Sequence, residues 1–307
     1  MSLSLLVMAA GVGSRYGGLK QLDPVGPSGE TLLEYSLYDA CFAGFSDFYF
    51  VIQPSYHDLF TQKVISRLPR SLKVTCIYQE LGAFFPNYMT FPTERKKPWG
   101  TAHAVLSAHH IINTPFAVMN ADDYYGTSPF QQLAAFLKTC TAHEAVLITH
   151  TLKETLSIYG PVSRGMCLID QNNFLIAITE HKKIIQDPST NQILSQELNT
   201  VLSPNGIVSL NLWGFHPSIF EMLYQSFLTF LKHNINDSTT EYFLPTTITH
   251  YILANLLTVR VFPSNDLWGG ITYPDDLPVA KSQIERQIRL GLYPKNLWEN
   301  FEPPQFE

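Results

Sequence analysis

The chain has 307 residues, of which 45% are hydrophobic and 15% charged, enough to bury a large core in one or two domains. Its formal net charge is −6 and its longest basic run is the triplet 95–97, which argues against an electrostatic surface for nucleic acid. The four cysteines form no CxxC pair, and no apolar stretch approaches the roughly 20 residues that span a bilayer. We therefore expect a reduced, cytoplasmic globular protein without a membrane segment; the sequence leaves oligomerisation open.

Apolar runs and helical periodicity alternate along the first part of the chain. Thr31 can cap the first helix and Gly44 can end it, whereas the Pro- and Phe-rich segment 80–99 shows neither period and predicts a long loop or lid. The predicted elements are strands over 3–8, 48–52, 74–78 and 116–120 and helices over 31–44, 58–68 and 101–109. This alternation predicts an α/β fold with a mainly parallel sheet covered by helices on both faces. Ligands of such sheets bind beyond the carboxyl ends of the strands.

The second part of the chain continues without any segment that resembles a flexible linker. Its patterns predict strands over 145–150, 176–180, 207–213 and 257–262 and helices over 218–232 and 277–290. We expect one domain over 1–280 with halves over about 1–125 and 126–280, followed by a C-terminal helix and tail over 281–307.

A glycine-rich loop follows the first predicted strand. It contains Gly11 and Gly13, which let backbone N–H groups close around phosphate oxygens. Arg15 and Lys20 supply the positive charge that a triphosphate needs. The spacing fits neither the dinucleotide GxGxxG fingerprint nor a Walker A motif. We interpret the loop as a phosphate-binding loop, although a plain glycine turn with surface Arg and Lys would have the same sequence.

An acidic pair, Asp122 and Asp123, follows the predicted strand over 116–120. Magnesium is usually held by one or two carboxylates together with substrate phosphates, so the end of this strand is a candidate metal site. Asp122 is the candidate ligand. A turn in which the aspartates accept local backbone N–H groups would show the same pattern.

In their order along the chain, these motifs resemble those of the sugar-phosphate nucleotidyltransferases, the family of UDP-glucose pyrophosphorylase and glucose-1-phosphate thymidylyltransferase. The resemblance implies a Rossmann-like, GT-A-like fold, Mg²⁺ as cofactor, and a nucleoside triphosphate and a sugar 1-phosphate as substrates. Residues 1–125 would form the nucleotide half and 126–280 the sugar-phosphate half. Asp122 would bind the metal, Arg15 the pyrophosphate and Lys20 the α-phosphate. The residues implied to bind the nucleotide are Ala10, Gly11, Gly13, Ser14, Gln79, Gly100 and Thr101.

The sugar phosphate would be held by residues of the second half. Gly160 lies in a Tyr-Gly-x-Val element that resembles the family's sugar-lining segment, and Asn211 matches a sugar-contacting asparagine. Glu180 with Lys182 resembles the family's Glu-Lys pair, in which the carboxylate takes sugar hydroxyls and the lysine takes the phosphate. Lys183 competes for the lysine's role, because His181 shifts the spacing by one residue.

One position departs from the family pattern. Many members have a second metal-binding acid before the C-terminal helix, where this chain has Thr272. Asp275 and Asp276 are expected at the start of that helix, where unpaired N–H groups and the helix dipole favour carboxylates. The second ligand is left open between water, Asp123 and one of these two aspartates after rearrangement.

The amide donor and acceptor of Gln79 can pair with the imide edge of uracil or thymine, which favours UTP or dTTP. Three alternatives remain open: a cytidylyltransferase acting on an alcohol phosphate, a glycosyltransferase that consumes sugar nucleotides, and a non-catalytic nucleotide-sugar sensor.

Overall fold

The centre of the molecule is a mixed β-sheet, which has eleven strands within the residues that the computed structural model describes, 2–11 and 23–304. Two further short strands, β5 and β13, pair with each other beside it. The strands are β1 (Leu3–Met8), β2 (Phe45–Ile52), β3 (Lys73–Tyr78), β4 (Phe116–Asn120), β5 (Asp123–Tyr124), β6 (Glu144–Thr151), β7 (Val162–Ile169), β8 (Leu175–Gln186), β9 (Ile193–Ser195), β10 (Thr200–Leu202), β11 (Ile207–Phe215), β12 (Thr258–Pro263) and β13 (Gly269–Gly270).

Strands β1 to β4 form a parallel block in the order β4-β1-β2-β3. Successive side chains of β1 pack into cores on opposite faces of the sheet: Leu5 and Val7 on one face, Leu6 and Met8 on the other. Burial on both faces explains why this strand is a continuous apolar run rather than an alternating one. The four strands predicted for this part of the chain are confirmed.

Strand β11 connects the parallel block to the rest of the sheet. It lies antiparallel to β4, β6 and β7, and the sheet continues through the antiparallel strands β8, β9 and β10. Strand β12 adds to the edge of β6 in parallel. The four strands predicted for this half are present. The sequence did not predict β7, β9 and β10, because Arg164 and Gly165 interrupt β7 and the other two have only three residues each.

Helices cover both faces of the sheet, which confirms the predicted fold class. The helices are α1 (Leu32–Ala43), α2 (His57–Lys63), α3 (Thr101–Leu106), α4 (Thr127–Leu137), α5 (Ile219–Asn234), α6 (Leu244–Leu253) and α7 (Leu277–Arg289). The core on one face contains residues of α1, α2 and α4, and the core on the other contains residues of α3, α5 and α6. Residues of α7 and α1 share a smaller third cluster. Helices α4 and α6 were not predicted from the sequence.

The first helix begins and ends where the sequence predicts. The hydroxyl of Thr31 accepts a hydrogen bond from the backbone N–H of Glu34 at 3.3 Å, and the Glu34 carboxylate accepts the Thr31 N–H at 2.8 Å. These reciprocal bonds satisfy two N–H groups that have no partner inside the helix. Gly44 ends the helix with φ 107°, a left-handed conformation that costs glycine little.

A carboxylate is buried where α1 and α4 meet the chain that follows α7. Asp39 is 2% exposed and accepts hydrogen bonds from the hydroxyls of Thr127 at 2.8 Å and Tyr293 at 2.6 Å. Burial raises the pKa of Asp39 to about 7, although both hydrogen bonds lower it. Asp39 therefore binds its proton more tightly in the folded protein than in the unfolded chain, where an aspartate has a pKa of about 3.9.

Asp39→Asn is expected to flatten the pH dependence of folding stability. Between about pH 4 and pH 7 the folded wild type holds a proton that the unfolded chain releases, so its free energy of unfolding falls by up to about 1.4 kcal/mol per pH unit as pH rises. Asparagine does not titrate and lacks this slope. Urea unfolding of both proteins from about pH 4 to pH 8 measures the difference. If the free energies of unfolding of the two proteins changed with pH in the same way, Asp39 would not titrate between about pH 4 and pH 8.

Candidate active site

The carboxyl ends of the four parallel strands meet at one cleft of about 630 Å³. Each strand is followed by a residue that lines it: Gly11 after β1, Gln53 after β2, Gln79 after β3 and Asp122 after β4. This is the position at which open α/β sheets bind their ligands. The other described residues of the lining are Met8, Ala10, Lys97, Pro98, Gly100, Thr101, Ala104, Asn120 and Glu241. We call this space the first cavity.

Gln79 faces the first cavity with only part of its amide available. Its Nε2 donates hydrogen bonds to the carbonyl of Gly100 at 3.0 Å and to Nδ1 of His103 at 3.3 Å. Burial lowers the pKa of His103 to about 4, so its ring is neutral and can accept. In the His103 tautomer whose Nδ1 accepts, both amide hydrogens are used inside the protein; that Gln79 binds the base stays a prediction. The amide oxygen is the atom left for a base.

Gly100 and Thr101, at the start of α3, are fastened to the segment that leads into α6. The hydroxyl of Thr101 accepts the backbone N–H of Leu244 at 2.9 Å, and the carbonyl of Tyr242 accepts the N–H of Ala102 at 3.0 Å. Gly100 has φ +113°, and a Cβ there would lie 2.7 Å from the Tyr242 carbonyl oxygen. Only glycine fits this conformation and this close approach.

The segment 80–99 is a loop, as predicted, and one buried arginine anchors it. The Arg95 guanidinium lies 3.6 Å from the centre of the Trp99 ring and donates to the carbonyls of Asp237 and Thr240 at 3.0 Å and 2.8 Å. Beside it, Lys97 forms an ion pair with Glu241, and both residues line the first cavity. That this segment acts as a lid stays a prediction.

A second cavity of about 250 Å³ adjoins the first. Asn120 and Asp122 line both cavities, so the Asp122 turn lies between them. The remaining lining residues are Asp123, Ser163, Arg164, Gly165, Glu180, Ser209, Leu210, Asn211, Pro245, Trp268, Ile271 and Thr272. Three residues predicted for the sugar-phosphate half or the second metal position, Glu180, Asn211 and Thr272, are therefore brought together.

Asp123 is held by its neighbours in the turn. Its Oδ2 accepts hydrogen bonds from the side-chain amide of Asn120 at 2.8 Å and from the hydroxyl of Tyr125 at 3.2 Å. The single hydroxyl hydrogen of Tyr125 is shared between Asp123 and the carbonyl of Leu210, whose oxygen lies 2.8 Å away. Burial raises the pKa of Tyr125 well above its ordinary value, so the hydroxyl remains protonated and able to donate. Asp123 shapes the turn and also lines the second cavity.

The aspartates near Thr272 are placed at the helix start, as expected from their position before α7. Oδ2 of Asp276 accepts the backbone N–H groups of Thr272 at 2.9 Å and Tyr273 at 2.8 Å, and its Oδ1 accepts the Ser157 hydroxyl at 2.8 Å. Asp275 is exposed. Within residues 2–11 and 23–304, no three His, Cys, Asp or Glu side chains cluster as a complete metal site.

Asn211 reaches the second cavity from a bulge in β11. The pairing of β11 with β6 shifts between Ser209 and Leu212, which leaves Leu210 and Asn211 outside the regular ladder. Asn211 has φ 59°, in the left-handed region that asparagine tolerates better than most residues. The same bulge lies where β11 exchanges β7 for β4 as its neighbour.

Only one member of the predicted Glu-Lys pair lines the second cavity. Glu180 lines the second cavity, whereas Lys182 lies outside the lining, 53% exposed, with its ammonium 3.9 Å from the Glu197 carboxylate. Lys183, the competing candidate, is also exposed. Among the described lining residues, Arg164 carries the positive charge, and it donates to the Ser163 carbonyl at 2.8 Å and to the Thr155 carbonyl.

Gly160 lies outside the described lining of the second cavity. A Cβ at Gly160 would lie 2.6 Å from the ring of Tyr273, whose hydroxyl donates to the carbonyl of Pro161 at 2.7 Å. Gly160 thus allows the chain to pack against the segment before α7. That Gly160 contacts a sugar stays a prediction.

Arg15, Lys20, Gly13 and Ser14 lie outside the described residues, so their predicted roles stay predictions. Sequence reasoning missed Gln53, whose Nε2 donates to the Ala10 carbonyl at 2.7 Å, and it missed Arg164 and Trp268 in the second cavity. The sequence could have indicated Gln53, because it directly follows a predicted strand, as Gln79 does. Arg164 and Trp268 gave no such signal, because Arg164 lies in the unpredicted strand β7 and Trp268 in the loop before β13.

Two adjoining cavities at the carboxyl edge of an open α/β sheet have room for two ligands side by side. The family model described as "Nucleotidyl transferase" matches residues 5–234, which is more than half of the chain. This chain therefore belongs to the nucleotidyl transferase family, and the resemblance predicted from its motifs is confirmed. A comparison with curated proteins finds no match to the sequence.

Two solved structures share the fold at low sequence identity. The inositol-1-phosphate CTP transferase from T. maritima has a TM-score of 0.59 and 16% identity, covering 92% of this chain and 96% of its own. A putative glucose-1-phosphate thymidylyltransferase from Bacillus anthracis, in complex with a sucrose, has a TM-score of 0.60 and 13% identity, covering 92% and 95%. Within the described parts of this chain, no helix has the length and apolar character needed to cross a bilayer.

Gly100→Ala is expected to destabilise the protein by about 1–3 kcal/mol, because alanine would be strained at this φ and would collide with the Tyr242 carbonyl. The matched control is Gly82→Ala in the preceding loop, where a Cβ would meet nothing within 4 Å. Urea denaturation of the two variants measures the difference. Equal stability of the two would show that the chain around Gly100 is not packed as described.

Proposed function

We propose that the chain transfers the nucleotidyl group of a pyrimidine nucleoside triphosphate to a sugar 1-phosphate and releases pyrophosphate. The observation that carries this proposal is the meeting of two cavities at Asp122. A nucleotide in the first cavity would direct its phosphates toward Asp122, and a phosphorylated acceptor in the second would approach from the other side. Membership of the nucleotidyl transferase family supports the type of reaction.

The proposed chemistry needs no general base. An oxygen of the acceptor phosphate is already anionic, so it can attack the α-phosphorus in line while pyrophosphate leaves. The protein then contributes mainly positioning and charge stabilisation. We assign Arg15 to the pyrophosphate and Lys20 to the α-phosphate, the roles implied by the family resemblance.

Asp122 fits a magnesium ion, because Mg²⁺ commonly takes one or two protein carboxylates and completes its shell with phosphates and water. When bound, the ion would neutralise charge that develops on phosphate oxygens. We propose water as the second ligand. Asp276 already accepts three hydrogen bonds, Asp275 is exposed, and Oδ2 of Asp123 already accepts two.

The base would be recognised by the oxygen of Gln79. This atom accepts a hydrogen bond, so it suits the imide N–H of uracil or thymine, as in UTP or dTTP. The exocyclic amino group of cytosine is also a donor. When both Gln79 amide hydrogens are used within the protein, its oxygen suits cytosine as well as uracil or thymine, so the second candidate is a cytidylyltransferase acting on an alcohol phosphate. The T. maritima structure with a similar fold is titled as an enzyme of that type.

The acceptor would lie against Glu180 and Asn211, whose oxygen and amide groups can bind hydroxyls. Its phosphate would lie near Arg164, or near Lys182 if that side chain leaves Glu197.

The direct test is pyrophosphate release from UTP, dTTP, CTP, ATP and GTP, each with sugar 1-phosphates and alcohol phosphates, in magnesium and then in EDTA. One metal-dependent pair would establish the reaction and both substrates. CTP with an alcohol phosphate would select the second candidate. Nucleotide-sugar binding without any release would contradict both and indicate a sensor.

Asp122→Ala is expected to lower kcat by a factor of about 100 to 1000, because it removes a charge that holds the metal at the transition state. The matched control is Asp275→Ala, which removes an exposed aspartate outside the lining and is expected to keep wild-type activity. Circular dichroism checks that both variants fold. A fully active Asp122→Ala enzyme would rule out the proposed metal site.

Glu180→Gln is expected to raise KM for the acceptor about 10- to 100-fold, since hydrogen bonds to a charged group contribute about 1.5–3 kcal/mol. KM for the nucleotide should not change, because Glu180 lines the second cavity and not the first. Glu154→Gln, at an exposed side chain outside both linings, is the control. If KM for the nucleotide changed instead, Glu180 would contact the nucleotide and not the acceptor, which would contradict this assignment.

A further inference from the structure

Three side chains from distant parts of the chain form a buried hydrogen-bonded relay, which we define as Tyr124, Tyr293 and Asp39. The Tyr293 hydroxyl donates to Oδ2 of Asp39 at 2.6 Å and lies 2.7 Å from the Tyr124 hydroxyl. When Asp39 is ionised, Tyr293 gives its single hydroxyl hydrogen to the carboxylate, so Tyr124 donates to Tyr293. The three residues are only 4%, 4% and 2% exposed.

The relay ends directly behind the turn that separates the two cavities. Tyr124 and Asp123 form β5, whose partner β13 pairs Gly270 with Asp123. Gly270 is followed by Ile271 and Thr272, which line the second cavity. Fixing Tyr124 therefore fixes the Asp122–Asp123 turn and the opposite wall together. Ser36, one turn before Asp39 in α1, donates to the Asp123 carbonyl at 3.1 Å and supports the same turn.

The chain after α7 is anchored by hydrogen bonds a few residues beyond Tyr293. The backbone N–H of Leu297 donates to the Glu30 carboxylate at 3.0 Å, and the indole of Trp298 donates to the Glu34 carboxylate at 3.1 Å. Leu297 is 1% exposed. Tyr293 lies outside the residues 5–234 that match the family model.

We propose that Tyr293 is a positioning residue for the metal-binding turn, acting through the hydroxyl of Tyr124. The inference rests on the proposed function, in which Asp122 binds magnesium. Groups behind a metal ligand orient it, and losing one commonly costs about 10- to 100-fold in metal affinity or activity. The segment after α7 is thus part of the active-site architecture.

The test variant is Tyr293→Phe, which removes the hydroxyl and keeps the ring. We expect the Mg²⁺ concentration for half-maximal pyrophosphate release to rise about tenfold and kcat to fall. Tyr124→Phe should have the same effect, and the double variant should lose no more than either single one, because both break one relay. Tyr88→Phe, at a side chain that is 71% exposed, is the matched control.

A second measurement does not depend on turnover. In metal-free protein, hydrogen exchange of the backbone amides of residues 120–125 should be faster in Tyr293→Phe than in Tyr88→Phe, while amides of β1 keep their protection. Leu297→Ala tests a merely structural role, because it weakens the packing of the same segment and leaves the relay hydroxyls in place. If its Mg²⁺ requirement rises as much as that of Tyr293→Phe, the hydroxyl has no specific role and the proposal is overturned.

Failure of the proposal and failure of the proposed function give different results. A wild-type protein without magnesium-dependent pyrophosphate release contradicts the proposed function, and with it the premise that Tyr293 orients a metal ligand. A magnesium-dependent wild type whose Tyr293→Phe variant matches Tyr88→Phe in Mg²⁺ requirement and amide exchange overturns the positioning role alone.

Discussion

The placement of Asp122 at the carboxyl end of β4 is the constraint on which the rest of the site depends. Strand β4 has the parallel strand β1 on one side and the antiparallel strand β11 on the other. Chain that leaves β4 at this edge therefore faces the parallel block on one side and the antiparallel strands on the other. The two cavities form on these two sides, so one turn can contact the ligands of both.

Local patterns predicted much of the half that would bind the nucleotide. The apolar run of β1, the Thr31 cap and the Gly44 end of α1 each follow from residues close together in the chain. The residues after β3 and β4 could be placed at one edge without coordinates, because parallel strands all end on the same side. Gln79 and Asp122 were found in this way, although the hydrogen bonds that occupy the Gln79 amide were not.

The second cavity was harder to predict because it is assembled from long-range pairing. Lys182 lies outside the cavity beside Glu197, which follows β9. Gly160 packs against Tyr273, which lies more than a hundred residues later in the chain. The relay likewise joins residues 39, 124 and 293, whose proximity no local pattern encodes. Periodicity describes an element and its buried face, but it does not say which distant element will cover that face.

The bulge at Asn211 also limits how this chain can tolerate insertions and deletions. Between paired positions, β11 advances three residues, from Ser209 to Leu212, while β6 advances one, from Thr149 to Ile148. The bulge therefore contains two extra residues, an even number, so the alternation of side chains between the faces of the sheet resumes in phase. Loss of both residues would leave a regular strand without its amide in the cavity. Loss of one would leave a one-residue bulge and change which side chain it directs at the cavity.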